Sequence, residues 1–405
     1  MSTEASRLRP FWHLEGGDAI RAAACLGIVC FHVATGALFI SGNLAGSGGQ
    51  HTWVDGYGEL GRVALQSAAT GFYVFFVLSG FLVSAPFVGA FVEGRPRPRL
   101  APYFRNRAVR LVPAAWVLFV FVIARYGTRG ASWGELLSMF TFTEDHVDHP
   151  LTTLVGQTWT LRVDMCFYVL VPIASALGIR LVGRRLGVVG RRRAVWAGAA
   201  AVSAVTLTVS GLVVPTTGAT RSPAILLFLF MPGVALAALL AGRRASVEHA
   251  HTPLLAAAVS LLGAFVLIAY PRSRFGLPIS LAIVGSGAVM LLGGLVLLER
   301  RTGRTWGWMR SSPVRWVGRR TYGIYLWHLA VMAELATLFD GAQRAGRTYA
   351  VLLPLVVLAT VAVSALSFRF VERPAMRLRH GGPRVTVAAE QAPPAAAVPA
   401  ISAAA

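Results

Sequence analysis

Residues 18–40 read Asp18-Ala-Ile-Arg21-Ala-Ala-Ala-Cys25-Leu-Gly-Ile-Val-Cys30-Phe-His32-Val-Ala-Thr-Gly-Ala-Leu-Phe-Ile40. A bilayer crossing takes about 20 apolar residues at a helical rise of 1.5 Å each, so this run is long enough to span. It nonetheless carries an arginine and a histidine. Arg7 and Arg9 precede it, as basic residues precede the core of a secretory leader. Its internal charge and the lack of a small-x-small exit predict a helix that is retained. Runs of the same kind follow at Ala64–Val92, Val109–Ala124, Trp159–Ile179, Ala194–Val214 and Pro223–Ala241. Four more lie at Pro253–Tyr270, Leu277–Leu298, Thr321–Phe339 and Tyr349–Phe368. The reading is an all-α, polytopic integral membrane protein with ten transmembrane helices.

Composition excludes the alternatives. Of 405 residues 55% are hydrophobic and only 14% charged, too few for the charged surface of a water-soluble domain. The 38 cations, all arginine, outnumber the 17 acids and leave a net charge of +21. A nucleic-acid binder would gather such charge on one folded face; here it falls in alternate connections between apolar runs, so no nucleic-acid partner is expected. One side of the ten-span arrangement holds 28 arginines and the other 8. The positive-inside rule then puts both termini in the cytoplasm and the protein, multi-pass, in the cytoplasmic membrane. Residues 1–17 read as a cytoplasmic N-terminal segment and 18–380 as the membrane domain. Residues 381–405, rich in Ala, Pro and Val, read as a disordered cytoplasmic tail. Cys25, Cys30 and Cys166 fall inside apolar runs and suit small packed hydrophobes better than a disulfide framework.

Ionisable groups at membrane depth cost at least about 2.5 kcal/mol each, so each needs a partner or a task. Arg21 and His32 are separated by about 16 Å of helical rise, which puts Arg21 near the cytoplasmic surface and His32 near the middle. His32 reads either as an interior histidine satisfied by a neighbouring helix or as a general base, since imidazole titrates near neutrality. Arg21 taken alone reads as a snorkelling anchor. Ser79, in Gly71-Phe-Tyr-Val-Phe-Phe-Val-Leu-Ser79-Gly80-Phe81, lacks a nucleophile elbow and fits helix packing or substrate orientation. Tyr103-Phe-Arg105-Asn-Arg107-Ala-Val-Arg110-Leu-Val-Pro113 marks the cytoplasmic entry to the third span. Arg107 and Arg110 share a helical face, and planar guanidinium groups suit a phosphorylated cytosolic ligand as well as they suit topology. The fourth span opens with Gln157-Thr-Trp159-Thr-Leu-Arg162-Val-Asp164-Met-Cys-Phe167-Tyr168. Arg162 and Asp164 are two apart and each must find a partner elsewhere. His328, in Thr321-Tyr-Gly-Ile-Tyr325-Leu-Trp327-His328, and Glu372, in Val371-Glu-Arg-Pro374, complete the set. The outer loop Glu144-Asp-His146-Val-Asp148-His149 has too few ligands close together for a metal, and none is expected.

Together and in order along nearly the whole chain, these motifs resemble the integral-membrane acyltransferase type 3 family. The resemblance is carried by Arg21 with His32, Phe75-Phe-Val-Leu-Ser79-Gly-Phe and Arg107 with Arg110 and Pro113. Trp159-Thr-Leu with Asp164 and Phe167-Tyr168, Tyr322-Gly-Ile-Tyr-Leu-Trp-His328 and Val371-Glu-Arg-Pro374 complete it. It implies transfer of an acyl group, commonly acetyl, from acyl-CoA as co-substrate to a hydroxyl on a sugar-containing acceptor. No cofactor would be permanently bound. By the same analogy His32 is catalytic, Arg21 supports it, and Arg107 and Arg110 meet the CoA phosphates. Ser79, Trp159, Asp164, Tyr168, His328 and Glu372 orient substrate or hold structure. Tyr73 and Asp164 depart from the family pattern, which often has Asp and Glu there. Some members carry an additional soluble hydrolase-like domain; with none in this sequence, the acceptor is expected to reach the membrane domain itself. That suits a glycosylated metabolite such as a macrolide, or a lipid-linked or envelope glycan. The competing class is a proton-coupled multi-pass transporter, against which stands the absence of a second copy of the Arg–His or Ser-Gly segments.

Overall fold

Helix α3 (Gly71–Glu93) is apolar on every side, and in the computed structural model it is the most enclosed long helix of the bundle. The structure describes residues 12–41, 57–143, 151, 154–183, 185–217, 226–242, 258, 276–302, 305–339 and 345–379. In chain order α3 is preceded by α1 (Gly17–Ile40) and α2 (Gly58–Ala69). It is followed by α4 (Leu100–Tyr126), α5 (Trp133–Thr141), α6 (Trp159–Gly178), α7 (Val188–Thr217) and α8 (Met231–Leu240). Then come α9 (Gly276–Thr302), α10 (Ser312–Gly318), α11 (Thr321–Ala336), α12 (Ala345–Ser367) and the short α13 (Arg373–Met376). Among the described residues there is no strand.

The apolar runs become helices because a bilayer leaves no water to satisfy backbone polar groups, and an α-helix pairs them internally. Six helical stretches of the described residues are long and apolar enough to cross: 17–40, 58–93, 100–126, 156–183, 283–302 and 345–376. The chain is thus an all-α multi-pass membrane protein. The predicted run Pro253–Tyr270 lies outside the described residues, apart from residue 258, as does the loop Glu144–His149.

Helix boundaries depart from the predicted runs where local chemistry intervenes. The run Ala64–Val92 is divided at Thr70 into α2 and α3. Helix α4 starts at Leu100 instead of Val109, because Pro102 sits in a first turn, where its missing N–H costs nothing. Arg105, Arg107 and Arg110 therefore lie on a formed helix. Helix α11 stops at Ala336, short of Phe339. Two helices end in π-turns: α6 at Ile179–Gly183 and α12 at Phe368–Glu372.

Burial sorts the helices into inner and outer. In its most apolar window the α2–α3 stretch is 72% buried, against 28% for α4 and 17% for α6. Val117 and Val120 on α4, Leu170 and Ile173 on α6 and Leu358 and Leu366 on α12 are exposed, a surface suited to lipid and not to water. Helix α3 packs most extensively on α8 and also on α1, α6 and α9, while α1 meets α11 and α12. The α3–α8 contact is backbone to backbone. A Cβ on Gly80 would strike the Phe230 carbonyl, and one on Gly233 the Val77 carbonyl. Small residues let membrane helices approach this closely and gain dispersion contacts where no hydrophobic force separates helix from lipid. Gly80→Val should cost about 1–3 kcal/mol by overpacking. A lowered midpoint in thermal unfolding of the detergent-solubilised protein is the expected readout; an unchanged midpoint would mean the helices do not meet there.

Candidate active site

The α1–α11 contact brings together two imidazoles that are 296 positions apart. His32 Nδ1 lies 2.8 Å from His328 Nε2, and the rings stack with centroids 4.9 Å apart at 23°. His328 is fully buried, and its Nδ1 is 2.6 Å from the Tyr325 carbonyl oxygen one turn back on the same helix. A carbonyl only accepts, so His328 Nδ1 carries the proton and donates it. A neutral His328 then offers the Nε2 lone pair, to which His32 Nδ1–H donates. This accounting leaves the lone pair of His32 on Nε2, the tautomer a base requires. His32 is thus an interior histidine satisfied by a neighbouring helix, one of the two readings its sequence allowed.

A cavity of about 360 Å³ opens beside this pair between α1, α3, α4, α6 and α11. Its polar wall contains Arg21, Ser79, Arg107, Arg110, Asp164 and Tyr168, six of the residues singled out in the sequence, and its apolar wall includes Phe72, Phe75 and Phe76. Neither histidine lines it. Tyr325 does, and stands between: its carbonyl holds His328, and its ring lies 5.7 Å from the imidazole and 6.3 Å from Phe75. The Tyr325 hydroxyl is fixed by Thr160 Oγ1 at 3.0 Å and by the Gln157 carbonyl at 3.1 Å.

The arginines are held in different ways. Arg21 pairs with Asp18 at 3.0 Å, one turn earlier on α1. Arg107 lies over the Tyr103 ring at 3.7 Å and near the Tyr168 ring at 5.0 Å, so its plane is set by aromatic faces on α4 and α6. Asp164 finds its partner in Ser79, whose hydroxyl donates at 3.0 Å and ties α3 to α6. Ser79 therefore does more than permit close packing. Arg107 and Arg110 are within electrostatic reach of the same carboxyl.

Besides the two histidines, Trp159 and Glu372 do not line the cavity. Trp159 packs on Phe72 and Phe76, with ring centroids 6.1 Å and 5.9 Å away, behind the apolar wall. Glu372 is buried in the π-turn after α12, where the Ser367 hydroxyl donates to it at 3.4 Å. Sequence reasoning missed Tyr325, Thr160 and Arg379 among the lining residues. Tyr322, Tyr325 and His328 recur every three positions along one helical face, a signal that could have drawn Tyr325 in. Arg379 offers no such signal, since as sequence it is one more arginine at a span end.

A helical bundle that keeps a bonded imidazole pair inside its apolar interior, next to a cavity with four arginines in its lining, is a multi-pass membrane protein with a polar site among its helices. A family model described as an acyltransferase domain (Acyl_transf_3) matches residues 15–369, and the chain belongs to this acyltransferase family, as its motifs had implied. Among curated proteins it is similar to YrhL of Bacillus subtilis (strain 168), provisionally named a peptidoglycan O-acetyltransferase. The two are 25% identical over 397 residues, covering 89% of this chain and 55% of that one. It is also similar to the peptidoglycan O-acetyltransferase OatA of Listeria monocytogenes, at 24% identity over 388 residues, 88% of this chain and 55% of that protein. The chain spans about half the length of the curated relatives it matches. No solved structure matches it.

Proposed function

We propose that this protein is a membrane O-acyltransferase of the cytoplasmic membrane that moves an acyl group, acetyl by preference, from acyl-CoA to a hydroxyl of a sugar-containing acceptor. The observation that carries the reading is the bonded series from the Tyr325 carbonyl through His328 to His32, set beside an arginine-walled cavity. The names of the relatives favour an envelope glycan as acceptor over a glycosylated metabolite.

In this reading the phosphates of the donor stay with Arg107 and Arg110, and the pantetheine arm carries the thioester inward past Phe75 and Tyr325. His32 Nε2 takes the proton of the acceptor hydroxyl as its oxygen attacks the thioester carbonyl carbon. The tetrahedral intermediate collapses with cleavage of the carbon–sulfur bond, and the proton on His32 passes to the departing sulfur. His328 accepts from His32 Nδ1–H throughout, which orients the ring and stabilises the transient imidazolium. Arg21 supports the charge that develops near the donor.

The decisive measurement is label transfer from acetyl-CoA to a glycan acceptor by the purified protein in detergent, where no compartments exist. Transfer is expected. Its absence across muropeptide, lipid-linked and glycosylated small-molecule acceptors would leave the transporter reading in its place.

A further inference from the structure

We propose that Arg379 is a third cation of the donor-phosphate site, beside Arg107 and Arg110, carried to the cavity by the arm that follows α12. The proposal rests on the reading of the cavity as an acyl-CoA site. Residue 379 lies beyond residues 15–369, which the acyltransferase family model covers, and no motif in the sequence pointed to it.

The arm is built to return to the cavity. At Phe368–Glu372 the α12 ladder slips into a π-turn, and the helix then continues into α13. Pro374 opens α13 where a missing N–H is harmless, and the following backbone turn is closed by the N–H groups of Arg377, Leu378 and Arg379 on the carbonyls of Pro374, Ala375 and Met376. The π-turn and α13 both pack on α4, the helix that bears Arg107 and Arg110. Glu372, 4% exposed, anchors the turn from inside, within electrostatic reach of Arg110 and Arg320. The outcome is that the Arg379 side chain lines the cavity together with Arg21, Arg107 and Arg110.

Four guanidinium groups from three separate segments thus converge where the lining offers one carboxylate, Asp164, already bonded to Ser79. Arg379, exposed at its outer side, is within electrostatic reach of Arg110; partial desolvation and then that charge lower its pKa below the usual value. Like charges brought together in this way repel unless an anion joins them. Coenzyme A brings a diphosphate and a separate ribose phosphate on one end of a long neutral arm, so it can engage several guanidiniums while its thioester lies deeper.

The test is coenzyme A binding to the full-length protein in detergent, measured by calorimetry for wild type, Arg379→Gln and Arg377→Gln. Arg377 is an exposed cation of the same turn that does not line the cavity. Arg379→Gln should weaken binding about tenfold, the size of one charged contact at a hydrated rim, and the difference should shrink as salt is added. Arg377→Gln should bind as wild type does. Wild-type affinity in Arg379→Gln, or equal weakening in both variants, would overturn the assignment while leaving the acyl-CoA reading intact. Failure of the wild type itself to bind coenzyme A would bring down both. Repeating the titration in nanodiscs with and without phosphatidylglycerol separates the two sources of phosphate. An Arg379→Gln effect that appears only with the anionic lipid would make a headgroup the ligand and refute the proposal.

Discussion

His32→Ala is expected to lower turnover by about 10²–10⁴, the usual contribution of a positioned general base, in a protein that still folds and inserts. The expectation follows from the bond accounting around the pair. His32 is fixed through Nδ1 on His328, which is fixed in turn on the Tyr325 carbonyl, so loss of His32 removes the one nitrogen that this series leaves with a lone pair. Donor affinity should change little, because the imidazole is not part of the cavity wall. The wild-type rate should fall toward low pH as the base becomes protonated, and residual activity in the variant should lack that acid limb. Near-normal turnover in a folded His32→Ala protein would sink the assignment of the base and leave His328 as the next residue to test.

Replacing Arg107 or Arg110 with Gln should act on the other substrate property. Loss of one charge-assisted phosphate contact is worth about 1.5–3 kcal/mol, or roughly 10- to 150-fold in affinity, expected mainly in the donor KM. Arg107→Lys should recover only part of the loss. An ammonium is a point charge, and it would forfeit both the planar fork and the stacking over Tyr103 at 3.7 Å and Tyr168 at 5.0 Å. Donor KM values that stay at the wild-type level in both Gln variants would assign the pair to topology alone.

Much of the bundle is legible in the order of residues, because a membrane span is a local property. A long apolar run has one stable conformation in lipid, and α1, α6, α9 and α12 begin and end close to where hydropathy places them. The ends that moved are those where hydropathy is blind to backbone chemistry, as at Pro102 in the first turn of α4. The candidate site is half legible. The cost of charge in lipid flags Arg21, His32, Asp164 and His328, and helical spacing puts Arg107 and Arg110 on one face. Ser79 reads as helix packing or substrate orientation, since a hydroxyl on an apolar helix does not announce that the carboxyl facing it lies 85 positions away.

That the chain is helical, multi-pass and a member of an acyltransferase family is written in its residues, because apolar length and the order of motifs are properties of a one-dimensional string. Which polar groups meet is settled by packing in three dimensions. Packing paired His32 with His328, turned Ser79 toward Asp164, placed Tyr325 between the histidines and the cavity, and brought Arg379 back from the end of α12 to the arginines of α4. The physical reason is that the cost of a polar group in lipid depends on its own burial, whereas its relief depends on a partner. That partner is supplied by helix packing across hundreds of residues, where the close approach set by glycines such as Gly80 and Gly233 fixes which faces touch.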